Sequence, residues 1–355
     1  MKMKKNMTQK HLNLESGFSL LSKTFIVAEL SANHAGSIKI AIDTIKAASK
    51  AGADAIKLQT YTPDSLTIDC NNEFFQIKGT LWNGNSLYRL YEKAQTPWHW
   101  HKKLKKVAED LGLIFFSTPF DFNSVDFLEE LDVPIYKIAS FELVDYYLLE
   151  KIAATKKPVI MSTGMATLSE IDEAVKVLRD NGTKDLALLK CTSAYPSPYE
   201  EIHLKTLPHI AKTFKVTVGL SDHSQGIAVP IAAVALGAKI IEKHFILSRD
   251  IPSPDAPFSL EPKEFSQMVD AIRATEKALG EINYELTNKQ KENRVFRRSL
   301  FVVEDMKKGE RFSYRNVKSI RPGYGLPPKY LSVIIGKKAR RAISRGTPLS
   351  WDLIN

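Results

Sequence analysis

Eight times between Phe25 and Phe245 a short run of β-branched and aromatic residues is followed by a stretch with helical periodicity. The runs cover residues 25–32, 55–61, 114–118, 135–140, 158–163, 186–192, 216–221 and 239–245. Amphipathic segments such as residues 37–51, 98–111, 168–181 and 227–236 lie between them, and residues 262–279 follow the last. An uninterrupted strand-then-helix alternation builds a parallel sheet. Eight units exceed the roughly five to seven strands at which an open doubly wound sheet usually stops, so the sheet is expected to close on itself. The predicted fold class is α/β, a (β/α)8 TIM barrel over residues 25–280.

Residues 1–24 carry a basic, polar start with no apolar stretch and cleavage site behind it, and read as an N-terminal tail. After Gly280 the pattern changes. Residues 281–298 are polar and read as a linker. Residues 299–355 then show short strands separated by turns at Lys308-Gly309, Arg321-Pro322-Gly323 and Arg345-Gly346. So short a domain is marginal alone and is expected to dock on something larger. The longest loop, residues 62–96, follows the second strand, and loops of that length are usually functional.

Composition narrows the function classes. The chain has 355 residues, 44% hydrophobic and 25% charged, the balance of an ordinary globular protein. No apolar run reaches the roughly 20 residues that span a bilayer, so no membrane partner is expected. Cys70 and Cys191 are too few and too far apart for a disulfide framework, which fits a cytoplasmic location. The formal charge of +10 is spread along the chain without an aromatic RNA-binding signature or a helix-turn-helix pattern, which argues against nucleic acid and fits an anionic small substrate.

In such a barrel the working groups project from the C-terminal ends of the strands, and side chains two apart share a face. That parity selects Glu29, Ser31 and Asn33 on the first strand, and Lys57 and Gln59 on the second. It adds Lys137 on the fourth, Ser221 and His223 on the seventh, and Glu242 and His244 on the eighth. Polar groups this costly to bury point inward only where a ligand meets them. His223 and His244 end neighbouring strands, so both imidazoles are placed to reach one divalent ion, and two ligands are too few for a structural zinc site. Lys57 and Lys137, with Thr118, Ser140 and Ser221, suit a carboxylate that also carries a phosphate. His34 reads either as a substrate contact or as a cap at a helix start. His11, His99, His101, His203 and His209 read as solvated residues of tails or helices.

The segments AELSANHAGS from Ala28, AGADAIKLQTYTPDSLT from Ala51, FFSTPF from Phe115, YKIAS from Tyr136 and STGMAT from Ser162 are individually specific. So are KCTSAYP from Lys190, GLSDHS from Gly219, ALGAKIIEKHF from Ala235 and RPGYGLPPKY from Arg321. With them the chain resembles the bacterial sialic acid synthase family, and within it the pseudaminic acid synthases. The resemblance implies a (β/α)8 barrel followed by a small C-terminal antifreeze-like (SAF) domain, and a phosphoenolpyruvate-dependent transferase. The expected reaction joins phosphoenolpyruvate, 2,4-diacetamido-2,4,6-trideoxy-L-altrose and water to give pseudaminic acid and phosphate.

The resemblance further implies that Lys57, Thr118, Lys137, Ser140, Ser193 and Ser221 hold phosphoenolpyruvate. Glu29, Gln59, Glu142, Tyr195, Asp255 and Arg321 are expected to face the sugar, and His223 and His244 to hold Mn2+, Co2+ or Mg2+. Glu29, Lys137 and Glu242 are the expected catalytic groups, with either glutamate as the base. A domain-swapped homodimer is expected, the small domain of one subunit covering the barrel of the other. Ser193, where synthases using N-acetylmannosamine commonly carry Asn, and Ser31 to His34 fit the pseudaminic branch, as does the loop GTLWNGNSLYRLYE from Gly79. For a deoxygenated C6 the long loop, residues 62–96, offers Phe74, Phe75, Leu81 and Trp82.

The alternatives are a synthase of N-acetylneuraminic or legionaminic acid using a mannose-configured sugar, a Schiff-base aldolase with Lys137 as nucleophile, and a non-catalytic protein that binds anions or polysaccharide.

Overall fold

A computed structural model of the chain describes residues 17–79 and 81–355. Eight strands run in order: β1 (Phe25–Glu29), β2 (Ala55–Thr60), β3 (Ile114–Pro119), β4 (Tyr136–Ile138), β5 (Val159–Ser162), β6 (Leu186–Cys191), β7 (Thr217–Asp222) and β8 (Ile240–His244). Every neighbouring pair is parallel, and β1 pairs with both β2 and β8, so the sheet closes into the expected barrel. Nearly every strand residue is buried, as befits strands covered on one face by helices and on the other by the barrel interior.

Local chemistry turns each strand into the following helix. Ser37 accepts the Ile40 amide ahead of the helix Ile38–Lys50, and Asp121 and Ser124 form a reciprocal cap for Phe122–Glu130. Thr167 and Glu170 do the same for Leu168–Asp180. These side chains satisfy amides that the first helical turn leaves without partners.

Strand parity sorts the core into two regions. Outward-facing residues such as Ile26, Ala28, Ile56, Leu58, Phe115 and Val218 pack against the helices. Inward-facing Phe25, Val27, Ala55, Phe116, Ile160 and Leu189 fill the lower half of the barrel. Gly219 is part of this inner packing, because a Cβ there would lie 2.4 Å from the Ile240 carbonyl oxygen. Phe18 joins the inner cluster, fully buried, with its amide donating to the Asp185 carboxylate at 2.9 Å. The segment predicted as a tail therefore closes the barrel floor from Phe18 onward, while its residues 1–16 lie outside the described residues.

A second compact unit spans Glu281–Asn355. It opens with the short helix Asn288–Asn293 and carries an antiparallel pair, β9 (Ser299–Val302) and β10 (Val317–Ile320). Its core gathers Leu300, Val302, Met306, Phe312, Val317 and Ile334. Among the described residues no helix is long and apolar enough to cross a membrane.

Candidate active site

Above the apolar floor the same inward positions turn polar. Glu29 ends β1, Lys57 and Gln59 lie on β2, Thr118 on β3, Lys137 on β4 and Ser162 on β5. Cys191 ends β6, Ser221 lies on β7, and Glu242 and His244 lie on β8. With His223, just past β7, they line one cavity of about 470 Å³ at the C-terminal end of the barrel.

Two lysines and two glutamates form its centre, all buried. Lys57 Nζ lies 2.7 Å from Glu29 Oε2 and 3.8 Å from Glu242 Oε1, and donates to Thr118 Oγ1 at 3.2 Å. Lys137 Nζ is 3.4 Å from Glu242 Oε1, which also accepts from Ser221 Oγ at 3.1 Å. Gln59 Nε2 donates to Glu29 Oε1 at 3.2 Å.

The two carboxyls are not equivalent. Burial raises the pKa of Glu29 to about 7 even against Lys57, helped by the negative charge of Glu242. Burial also works against Glu242, but Lys137 and Lys57 outweigh it and hold that carboxylate below its ordinary value. Burial lowers the pKa of Lys137. One glutamate is thus a fixed anion between two cations and the other is poised to exchange a proton near neutral pH.

His223 and His244 face each other with ring centroids 5.4 Å apart. His223 Nδ1 donates to the Thr192 carbonyl at 3.2 Å, which leaves the lone pair on Nε2. Burial, with the positive charge of Lys57 and Lys243 nearby, lowers the pKa of His244 well below its ordinary value, so its ring is neutral. Its Nδ1 is buried without a hydrogen bond, 3.6 Å from Asp255 Oδ2, and Glu242 Oε2 is likewise unpartnered. Two imidazoles with an orphaned nitrogen and nearby carboxylates fit a divalent cation. Among the described residues no group of three or more His, Cys, Asp or Glu side chains is arranged to hold a metal alone, so water and substrate oxygens would complete its coordination.

Ser140 accepts the Gly164 amide at 3.0 Å, and Gly164 has no room for a side chain, since a Cβ there would lie 2.2 Å from Ser193 Oγ. Ser193 Oγ lies 3.9 Å from Cys191 Sγ, and Ser193 is not among the residues that line the cavity. Tyr195 lines the cavity between His223, 4.5 Å away by ring centroid, and Trp82 at 5.7 Å. Glu142 faces in from beyond β4. Burial raises its pKa to about 7, and its Oε2 has no hydrogen-bond partner.

Of the residues named from sequence, the barrel cavity thus gathers Glu29, Lys57, Gln59, Thr118, Lys137, Ser140, Glu142, Tyr195, Ser221, His223, Glu242, His244 and Asp255. Arg321 belongs to the second unit. It is exposed in the turn after β10, a turn pinned by Ser299 Oγ donating to the Pro322 carbonyl at 2.6 Å and by the Gly323 amide donating to Val295 at 2.8 Å.

Some expectations need correction. Phe74 is 81% exposed and Leu81 is 51% exposed, because both sit on the outer side of the long loop. Leu66, Ile77, Leu87 and Leu90 line the cavity instead, with Trp82 as expected. His101 is not solvated: it is fully buried, 2.9 Å from Thr60 Oγ1. Of the two readings left open for His34, its bonds fit the one at a helix start: it accepts the Gly36 amide at 3.0 Å just ahead of the helix Ile38–Lys50 and meets Thr96 Oγ1 at 3.3 Å.

Sequence reasoning also passed over Ser162 and Tyr61 as lining groups, although Ser162 follows the same inward parity as Lys137. It missed Lys243 as well, because an outward-facing strand position normally holds an apolar residue.

Comparison with known proteins agrees with this architecture. Over 332 residues the chain is 51% identical to a pseudaminic acid synthase of Campylobacter jejuni, covering 94% of this chain and 97% of that protein. An N,N'-diacetyllegionaminic acid synthase of Legionella pneumophila is 36% identical over 335 residues, with 93% and 94% covered. Among solved structures, an N-acetylneuraminic acid synthetase of Leptospira borgpetersenii superposes with a TM-score of 0.69 at 32% identity, covering 76% of this chain and 90% of that one. The spore coat polysaccharide biosynthesis protein of Bacillus subtilis gives a TM-score of 0.63 at 34% identity, with 94% and 95% covered. Residues 297–355 match the SAF domain and residues 44–284 match the NeuB family, so the chain belongs to the NeuB family.

Proposed function

We propose that this chain condenses phosphoenolpyruvate with 2,4-diacetamido-2,4,6-trideoxy-L-altrose and water, giving pseudaminic acid and inorganic phosphate, as a carbon–carbon bond-forming transferase. The observation that carries this reading is the convergence of Lys57, Lys137, Glu29, Glu242, His223 and His244 on one cavity, in a chain 51% identical to a pseudaminic acid synthase.

Lys57 and Lys137 hold the carboxylate and phosphate of phosphoenolpyruvate, with hydroxyls of Thr118, Ser140 and Ser221 as further partners. Gln59, Glu142, Tyr195 and Asp255 orient the open-chain sugar above them. His223 and His244 hold a divalent ion, which when bound supplies Lewis acidity at the aldehyde oxygen. Protonated Glu29 gives its proton to the aldehyde oxygen as C3 of phosphoenolpyruvate bonds to the aldehyde carbon. Water adds at C2 with one proton passing back to Glu29. The tetrahedral carbon expels phosphate with cleavage of its C–O bond, the remaining C2 hydroxyl proton leaving with the phosphate to give the ketone. Glu29 suits the base because its pKa near 7 lets it take and return a proton, whereas Glu242 is committed to two lysines. A Schiff base on Lys137 would leave the facing pair His223 and His244 without a role.

We further propose that the enzyme works as a homodimer in the cytoplasm, where Cys70 and Cys191 remain free thiols. Phe122, Phe141, Val144, Tyr147, Met165 and Leu168 are exposed on the segments that follow β3, β4 and β5, at the cavity's end of the barrel. Such an apolar rim calls for a cover, and the partner's C-terminal unit, with the exposed Arg321, is the occupant of this proposal.

The test is to incubate the protein with phosphoenolpyruvate and, separately, the altrose derivative, its mannose-configured diacetamido isomer and N-acetylmannosamine, following phosphate release and product mass. Fastest turnover with the altrose derivative is expected. Faster turnover with either other sugar would overturn the substrate, and no phosphate release with any sugar would overturn the reaction.

A further inference from the structure

The helix Leu87–Ala94 in the long loop is amphipathic in an unusual setting. Leu87, Leu90, Tyr91 and Ala94 fall at positions i, i+3, i+4 and i+7 and form one apolar stripe, with Arg89, Glu92 and Lys93 exposed on the other side. A surface helix normally presses such a stripe into the protein core. Here no residue of the helix is fully buried, and all four stripe residues line the active-site cavity. Leu66 and Ile77, from the same loop, line that cavity with them.

This wall is built in advance. Ser86 caps the helix through the Arg89 amide at 3.3 Å, the Ile77 amide donates to the Asn85 carbonyl at 2.9 Å, and Trp82 Nε1 donates to the Pro254 carbonyl at 3.2 Å. The last bond ties the loop to the segment after β8. Tyr91 packs edge-on against buried Tyr61, with ring centroids 5.9 Å apart.

The cavity therefore has a charged floor at the strand ends and an apolar wall contributed by the loop. The aldehyde end of the sugar must lie at the floor, where phosphoenolpyruvate meets Lys57 and Lys137. The other end of the six-carbon chain is what remains for the wall.

We propose that Leu66, Ile77, Leu87 and Leu90 form a subsite for a deoxygenated C6 of the sugar, and that this subsite discriminates against a hydroxyl there. The inference rests on reading the chain as an acetamido-sugar synthase and names the part of the substrate that the loop selects. A C6 methyl would gain contact with four aliphatic side chains. A C6 hydroxyl would lose its water and find no partner among them. An apolar pocket rejects an added hydroxyl by about 10- to 100-fold in kcat/KM.

The experiment compares two sugars that differ only at that carbon, 2,4-diacetamido-2,4,6-trideoxy-L-altrose and its 6-hydroxy counterpart, in wild type, Leu90→Gln and Leu90→Met. Wild type is expected to prefer the deoxy sugar by about 10- to 100-fold. Leu90→Gln, with an amide to meet the hydroxyl, should compress that preference to within about 3-fold and leave KM for phosphoenolpyruvate unchanged, whereas Leu90→Met should keep it. A wild-type ratio near one overturns the subsite. So does a Leu90→Gln variant that loses both sugars equally, which would mark Leu90 as a structural residue. If the altrose pair is not turned over and the corresponding manno pair is, the substrate assignment fails, and the same ratio in the manno series judges the wall. If no sugar releases phosphate, the reaction itself is wrong, and equal thermal shifts by the two sugars with phosphoenolpyruvate present then overturn the wall.

Discussion

Lys243 and Asp222 form a fully buried ion pair on the outer face of the barrel, directly opposite each other in the register of β7 and β8. Asp222 also accepts from the amide and hydroxyl of Ser224, at 3.0 and 2.7 Å, and Lys243 donates to the Ser224 carbonyl. Each partner is the chain neighbour of an inward-facing histidine, Asp222 of His223 and Lys243 of His244. The pair clamps two strand ends from behind while their histidines converge in front.

Breaking this clamp on one side leaves an uncompensated buried charge. Lys243→Met is expected to lose about 3–5 kcal/mol of stability in urea unfolding, whereas Lys243→Met combined with Asp222→Leu should recover much of it. A single variant within about 0.5 kcal/mol of wild type would show that water reaches the pair.

Removal of divalent ions by a chelator is expected to abolish phosphate release and lower the Tm, and Mn2+ or Co2+ should restore both. His223→Ala should bind no Mn2+ by calorimetry yet unfold at the Tm of the chelated wild type, because its side chain faces the cavity rather than the core. Full turnover in excess chelator would remove the metal from the proposed function.

Glu142 gives a pH signature. Its folded pKa of about 7 lies above the ordinary 4.5, chiefly because burial disfavours the carboxylate. Below about pH 4.5 both folded and unfolded chains carry the proton, and no stability is lost. Between about 4.5 and 7 the unfolded chain ionises first and stability falls, reaching a full loss of about 2–3 kcal/mol above pH 7. Glu142→Gln should therefore raise the Tm at pH 8 and have little effect at pH 4.5. A gain of equal size at both values would show that Glu142 titrates normally.

The dimer is tested by complementation. His223→Ala and Arg321→Ala proteins should each be nearly inactive alone and regain activity once their subunits exchange, since one of the two mixed sites then joins an intact histidine pair to an intact arginine. Arginine suits that position because its planar fork donates in fixed directions and stays charged. Exchange demonstrated by mass without recovered activity would place Arg321 within its own chain's site or outside any site.

The barrel was legible because strand burial and strand parity are both written in the chain. Lys57, Lys137 and Glu242 stand out as inward-facing charges that no apolar interior tolerates without partners. His101 was not legible: it sits in an amphipathic helix among lysines, and its burial comes from tertiary neighbours, the Thr60 hydroxyl and the rings of Phe115 and Phe127. The loop shows the same limit from the other side. Phe74 and Leu81 look like pocket residues by hydrophobicity alone, and the backbone path turns them outward. The spacing of Leu87, Leu90, Tyr91 and Ala94 was a readable signal, but periodicity cannot tell a helix that faces protein from one that faces a cavity.

Phe18, buried in the inner cluster, gives the barrel a floor beneath the cavity. On the proposed reading substrates enter from the strand ends and phosphoenolpyruvate goes deepest, so the sugar that enters above it is the stopper, and phosphate formed at the bottom must wait for traffic overhead to clear. Entry in a fixed order and exit in the reverse order follow, with the nine-carbon acid leaving before phosphate. Product-inhibition patterns then report on that queue: phosphate should compete with phosphoenolpyruvate for the empty enzyme, and the sugar acid should not.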